Sequence, residues 1–262
     1  MTGVHGADDG VSPDFWSQLR LTTQARIGLG RAGDSLPTRR VLEFSAAHAS
    51  ARDAVHEPLD ADQFQFRVCE VGVGTPIVVT SMASTRSEYL RRPDLGRAPK
   101  DLAELEKGDH DIGFVLADGL SPRALVDHGI GLLQALVSQF DGKYSIAPPV
   151  IATEARVALG DHIAQAQGVR TLLVIIGERP GLSVADSLGI YLTHLPKPGR
   201  TDADRNCISN IHPPDGLSYQ QAAVVAAGLV DGARSLGRSG VTLKDTSRTA
   251  TLGTDAGPAA LN

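Results

Sequence analysis

The chain has 262 residues, 42% of them hydrophobic and 21% charged, with a formal net charge of −5. That balance supplies enough apolar material for a packed core and excludes a globally disordered chain, while the negative sign disfavours non-specific binding to nucleic acid. Cys69 and Cys207 stand far apart, which excludes a disulfide framework and a paired-cysteine metal site.

Aromatic residues make up only 4%, so the core is expected to be aliphatic. The N-terminus is polar and acidic, without the basic patch and apolar stretch of a signal peptide. No run approaches the roughly 20 apolar residues of a membrane helix. The expected location is the cytoplasm.

In chain order, residues 1–12 read as a flexible tail. Asp14 is placed to cap a short helix carrying Phe15, Trp16 and Leu19 on one face, and Trp16 reads as a local core plug. Gly28-Leu29-Gly30-Arg31-Ala32-Gly33 matches the dinucleotide fingerprint literally, with Asp53 at the acidic position. That mechanism needs a buried strand before the first glycine, and Leu21 to Ile27 do not read as one. A glycine-rich packing loop is the expectation. Pro37 to Val55 reads as a helix behind Ser35 as N-cap, with Val41, Phe44, Ala47, His48, Ala51 and Val55 as its apolar stripe. Asp60 to Gly74 is ambiguous. Pro76 to Thr80 reads as a strand, Ser87 to Arg97 as a basic helix end able to meet an acidic partner, and Asp101 to Lys107 as a short polar helix.

From Asp111 the period changes. Ile112 to Ala117 reads as a buried strand, Ser121 and Pro122 as the N-cap and first position of a helix over Ala124 to Phe140, Pro149 to Ala152 as a strand, and Ala158 to Ala166 as a helix. Thr171 to Ile176 is a short, uninterrupted, β-branched run of the kind buried on both faces. This alternation predicts an α/β fold with a Rossmann-like, doubly wound, mostly parallel sheet and a small, mainly helical N-terminal domain. The expected division is 13–96 for the helical part, 97–245 for the α/β part and 246–262 for a flexible tail. Right-handed crossovers put the loops at 118–122, 153–160 and 177–183 on one edge.

Two charged, glycine-containing loops follow buried runs. One is Gly177-Glu178-Arg179-Pro180-Gly181; the other, Gly199 to Asn210, follows Leu188 to Thr193 and holds Cys207. Ligands in open α/β sheets settle outside the carboxyl ends of strands. Neither loop carries a complete catalytic set. Glu178 has no second carboxylate or histidine at motif spacing, and Cys207 has no nearby histidine before His212. Asn206, Ser209 and Asn210 read as hydrogen-bonding groups for a polar ligand. No metal-ligand spacing occurs.

These loops also carry a resemblance. Ile176-Gly177-Glu178-Arg179-Pro180-Gly181-Leu182-Ser183, Asp186 to Thr193, Gly199-Arg200-Thr201 and Arg205-Asn206-Cys207-Ile208-Ser209-Asn210 resemble the small subunit of ethanolamine ammonia-lyase, as do Ala25 to Gly33, Ala51 to His56, Tyr89 to Arg97 and Ala117 to Ser121. The resemblance spans most of the chain. It implies a subunit of an adenosylcobalamin-dependent carbon–nitrogen lyase that converts ethanolamine to acetaldehyde and ammonia by radical chemistry. The partner it implies is a large subunit holding the substrate and the reacting groups, in a hetero-oligomer. By motif match it assigns cobalamin contacts to Val157, Glu178 and Cys207, and no catalytic residue and no metal ligand to this chain. Asp109-His110-Asp111-Ile112-Gly113 only partly matches the motif that supplies a histidine to cobalt, so the cofactor is expected to keep its own benzimidazole there. A bacterial microcompartment is left open as the location within the cytoplasm.

Two other classes stay in view. A strand directly before Gly28 would favour a nucleotide-dependent oxidoreductase. A closed, apolar edge around Glu178 and Cys207 would favour an assembly protein without a cofactor.

Overall fold

A computed structural model describes residues 15–245. The tails expected at 1–12 and 246–262 and the Asp14 cap lie outside these residues. The elements are α1 (Phe15–Arg20), α2 (Thr38–His56), α3 (Ala61–Cys69), β1 (Ile77–Thr80), α4 (Arg86–Arg91), β2 (His110–Ala117), α5 (Pro122–Phe140), β3 (Val150–Thr153), α6 (Leu159–Gln167), β4 (Val169–Gly177), β5 (Leu188–His194), β6 (Asn206–Ile211) and α7 (Tyr219–Leu236).

The strands form one six-stranded sheet in the order β1-β3-β2-β4-β5-β6. The pairs β1–β3, β3–β2 and β2–β4 are parallel, while β4–β5 and β5–β6 are antiparallel. The fold is therefore α/β with a mixed sheet, and the expectation of a doubly wound, mostly parallel order fits only its first four strands. The reversal has a plain cause. Only Glu178 to Ser187 separate β4 from β5, too few for the helical crossover that a parallel partner needs. The second charged loop consequently leaves the edge opposite to the Glu178 loop. Its second half is not loop at all but β6.

Side-chain alternation splits the core into two layers. Leu173 and Ile175 of β4 join Ile112, Phe114 and Leu116 of β2, Leu188, Ile190 and Leu192 of β5, and Ile208 and Ile211 of β6 beneath α5 and α7. Leu172, Val174 and Ile176 point the other way and meet Val115, Ala152 and the α6 residues Leu159 and Ile163. Local chemistry sets the helix ends. The Ser121 hydroxyl accepts from the Ala124 amide with Pro122 at the first position of α5, Ser218 and Gln221 form a capping box on α7, and Gly168 ends α6 at φ 72°.

The N-terminal expectations fare unevenly. Residues 21–27 form turns and coil rather than a strand, so the literal glycine fingerprint lacks the element its mechanism requires. Trp16 lies over Gly28, where a Cβ would collide with the indole, yet it remains 42% exposed and is no core plug. Helix α2 starts after Pro37 without a side-chain cap, because Ser35 is engaged in a backbone bridge with Ala32. Along α2 only Ala54 is buried. The expected stripe stays exposed at Val41 and Phe44. The ambiguous stretch contains α3, capped by Asp60. Asp101 to Lys107 is not helical; its first aspartate accepts from the Ala103 amide and makes a turn. Strand β1, although drawn from before residue 96, is the edge of the sheet.

One ion pair ties the antiparallel half to the rest. Arg205, just before β6, donates to both carboxylate oxygens of Asp161 on α6, at 2.9 and 2.6 Å, and to the Thr193 hydroxyl of β5 at 2.7 Å. Both charges are buried, Asp161 at 1% and Arg205 at 6% exposure. Breaking such a pair strands a charge. Asp161→Asn is therefore expected to destabilise the chain by about 3–5 kcal/mol, read from urea unfolding. An unchanged midpoint would show that the pair does not hold β6 in place.

Candidate functional site

Strands β2, β3 and β4 end at one edge, so their following loops converge there. Asp118, the first residue after β2, organises them. Its two oxygens accept from the Glu154 and Ala155 amides at 2.7 and 2.9 Å, and the Arg86 guanidinium lies 3.4 Å away. Arg86 also donates to the carbonyls of Val55 and Gly119 and to Glu154. Burial pushes the Asp118 carboxyl up to about 7, with Arg86 pulling the other way. Gly177 seals the edge because a Cβ there would meet the Ser121 and Asp118 carbonyl oxygens.

This clamp sets the 154–158 turn. The Tyr89 hydroxyl donates to the Ala155 carbonyl at 2.9 Å, and the Arg156 amide donates to Gly96 at 2.8 Å. The Arg156 guanidinium stacks 4.5 Å from the centre of the Tyr89 ring. Val157 comes next, half-buried, packed against the α6-side core together with Tyr191.

Tyr191 is the centre of the site. On β5 it alternates with the inward-facing Ile190 and Leu192, so it points to the α6 side. Helix α6 packs on β4 and β2. Among the described residues no helix covers the same side of β5 and β6. Two open cavities meet over Tyr191. One, of about 310 Å³, extends past Val157 to Glu178. The other, of about 570 Å³, extends past Val157 and Arg156 to Arg200 and Thr201. Cys207 sits opposite Tyr191 in register. Their side chains interact, and desolvation first and the thiol second push the phenol up to about 12.

The three residues assigned by motif thus fall around one tyrosine, though not all as expected. Glu178 does sit at the carboxyl edge. One of its oxygens accepts from the Ser187 hydroxyl at 2.7 Å and from the Asn210 amide at 3.1 Å. Cys207 does not lie in an edge loop but on β6, mid-face. Its thiol is raised, chiefly by desolvation, so it stays protonated at neutral pH and is a poor nucleophile. His212 faces Asn210 at 2.8 Å rather than Cys207. Asn206 is bound to Gly240 and Leu243 and holds the chain after α7.

Sequence reasoning missed Tyr191, Tyr89 and the role of Arg156. The signal for Tyr191 was available: Gly189, Tyr191 and Thr193 form the less apolar alternate set of β5. Among the described residues no group of three or more His, Cys, Asp or Glu could hold a metal ion, and no helix is long and apolar enough to cross a membrane. The arrangement offers a shelf, apolar at Val157 and Tyr191 and polar at Glu178 and Arg156.

Asp118→Asn tests the clamp. It keeps the shape but turns an NH2 toward a backbone N–H and leaves Arg86 short of a carboxylate. A loss of about 2–3 kcal/mol in unfolding free energy is expected. Wild-type stability would mean that the turn holds without it.

The family model for the ethanolamine ammonia-lyase light chain matches residues 13–244. The chain is 74% identical to the ethanolamine ammonia-lyase small subunit of Rhodococcus erythropolis over 235 residues, covering 90% of this chain and 91% of the relative. It is 44% identical to that of Xanthomonas campestris pv. campestris, with 92% of each chain covered, and 45% identical to that of Pseudomonas fluorescens, with 92% and 91% covered. The chain belongs to the ethanolamine ammonia-lyase light chain family.

Proposed function

We propose that this chain is the small subunit of an ethanolamine ammonia-lyase and that, with a large subunit, it binds adenosylcobalamin across the open face at Tyr191. The observation that carries this is the convergence of Val157, Glu178 and Cys207 around Tyr191, where two open cavities meet. A shelf of this kind leaves the far side of a large ligand free for a second protein surface. The residues fit the group. Val157 and Tyr191 give apolar contact. Glu178 is held through one oxygen, and among the described residues no donor bonds its second, which would be open to a donor at the corrin periphery. The protonated Cys207 contributes packing.

Adenosylcobalamin supplies the radical chemistry when bound, through homolysis of its cobalt–carbon bond. This chain's part is to bind and to orient. Glu178 has no paired carboxylate and Cys207 no histidine, so neither is set up as base or nucleophile. His110 lies at the start of β2, the edge opposite to Glu178, and its neighbour Asp109 is paired with Arg170, so this histidine would not be among the residues that hold the cofactor at the Tyr191 face. Conversion of ethanolamine to acetaldehyde and ammonia then rests on groups of the large subunit. The division into a helical part over 13–96 and a Rossmann-like, cobalamin-covering part over 97–245 belongs to the same proposal, with β1 tying the first to the second. So does assembly in the cytoplasm, with a bacterial microcompartment resting on the resemblance alone.

Co-expression with a large subunit, followed by ammonia-release assays with and without adenosylcobalamin, tests this reading; the chain alone is expected to release none. In the assembled enzyme Glu178→Gln and Cys207→Ala should each weaken cofactor affinity roughly tenfold, the loss of one contact of about 1–2 kcal/mol. The rate at saturating cofactor should stay near wild type. A rate falling by orders of magnitude with affinity intact would place these residues in the chemistry and overturn the proposal.

A further inference from the structure

Resting on that reading, we infer that Arg97 and Arg156 form an anion subsite in the larger cavity and that its ligand is the phosphodiester of the cofactor's nucleotide tail. Among the arginines lining that cavity, Arg205 is neutralised by Asp161 at 2.6 Å and Arg200 faces Asp204 at 3.6 Å. Arg97 and Arg156 line the same cavity and have no carboxylate partner among the described residues. The one carboxylate lining it, Asp202, is 95% exposed, and its nearest cation is Arg205 at 3.9 Å.

The two arginines line one cavity from backbone segments that are held together. The Arg156 amide donates to Gly96, the residue before Arg97, at 2.8 Å. A side chain on Gly96 would press on the Tyr89 ring and the Arg156 stem. Two like charges on turns tied by a backbone hydrogen bond repel, and an anion between them relieves that repulsion. Arg156 is also flattened on Tyr89, and its Nε–H is buried without an acceptor. A planar guanidinium binds oxyanions better than a flexible ammonium does. A phosphodiester carries one delocalised negative charge and matches two such groups. The cavity of about 570 Å³ admits it with its attached sugar, and it adjoins the shelf at Tyr191 and Val157 where the proposed cofactor sits.

The test uses the enzyme assembled with its large subunit. Spectral titration compares cyanocobalamin, which carries the phosphodiester, with dicyanocobinamide, which lacks the nucleotide tail. The Arg97→Gln/Arg156→Gln double variant should bind cyanocobalamin at least tenfold more weakly and cobinamide as wild type does. Arg97 is exposed, so Arg97→Gln alone serves as a variant that folds; a roughly threefold loss is expected, shrinking as salt rises. Equal losses for both corrinoids, or none for either, would overturn the assignment to the tail. A second arm does not depend on the cofactor reading. Inorganic phosphate titrated into the full chain alone should broaden its phosphorus resonance with wild type and not with the double variant. If wild-type enzyme bound no corrinoid, the cofactor reading would fail, while this arm would still decide the anion subsite. Identical broadening with both proteins would overturn it.

Discussion

The structure turns on the carboxylate of Asp118. Fully buried at the end of β2, it accepts two backbone amides of the turn after β3 and draws in Arg86 from α4. Buried carboxylates persist when their lone pairs are filled and an opposite charge is near. Here those requirements fix three chain segments in one place. The turn they fix presents Arg156 and Val157, and Tyr89, on α4 like Arg86, buttresses it through the Ala155 carbonyl. The glycines at 119 and 177 let the loops approach closely enough for this to happen.

The other half of the site follows from alternation along β5 and β6. On the α5–α7 side both strands are aliphatic, with Leu188, Ile190, Leu192, Ile208 and Ile211. On the α6 side they offer Gly189, Tyr191, Thr193 and Cys207, too little apolar area to recruit a helix. The sheet is therefore half-dressed on that side, and the gap is the shelf. The buried Arg205–Asp161 pair keeps the shelf from collapsing by fixing the chain at the head of β6 to α6.

Much of this was legible in the sequence, for identifiable reasons. Strands β2, β3 and β4 and helix α5 announced themselves because runs buried on both faces and the Ser121–Pro122 start are strong local signals. The direction of β5 was not legible from its apolar run, which reports burial and not orientation; only the ten-residue link before it held that information. Strand β6 reads as polar loop because it is an edge strand with one buried face. Helix α2 shows apolar residues that nothing in the described chain covers, so its stripe misled the expectation of burial. Val157, Glu178 and Cys207 came from family motifs. Nothing in their spacing says that they meet, because the meeting depends on the unforeseen strand.

The central claim is that a ligand covers the face holding Tyr191 and Cys207. Both cysteines are free and exposed, Cys207 on that face and Cys69 at the end of α3, away from it. The direct measurement is the rate of alkylation of each thiol in the assembled enzyme, with and without adenosylcobalamin, resolved by peptide mass spectrometry. The account predicts that the cofactor slows Cys207 at least tenfold and leaves Cys69 unchanged. Equal rates for Cys207 in the two states would contradict it.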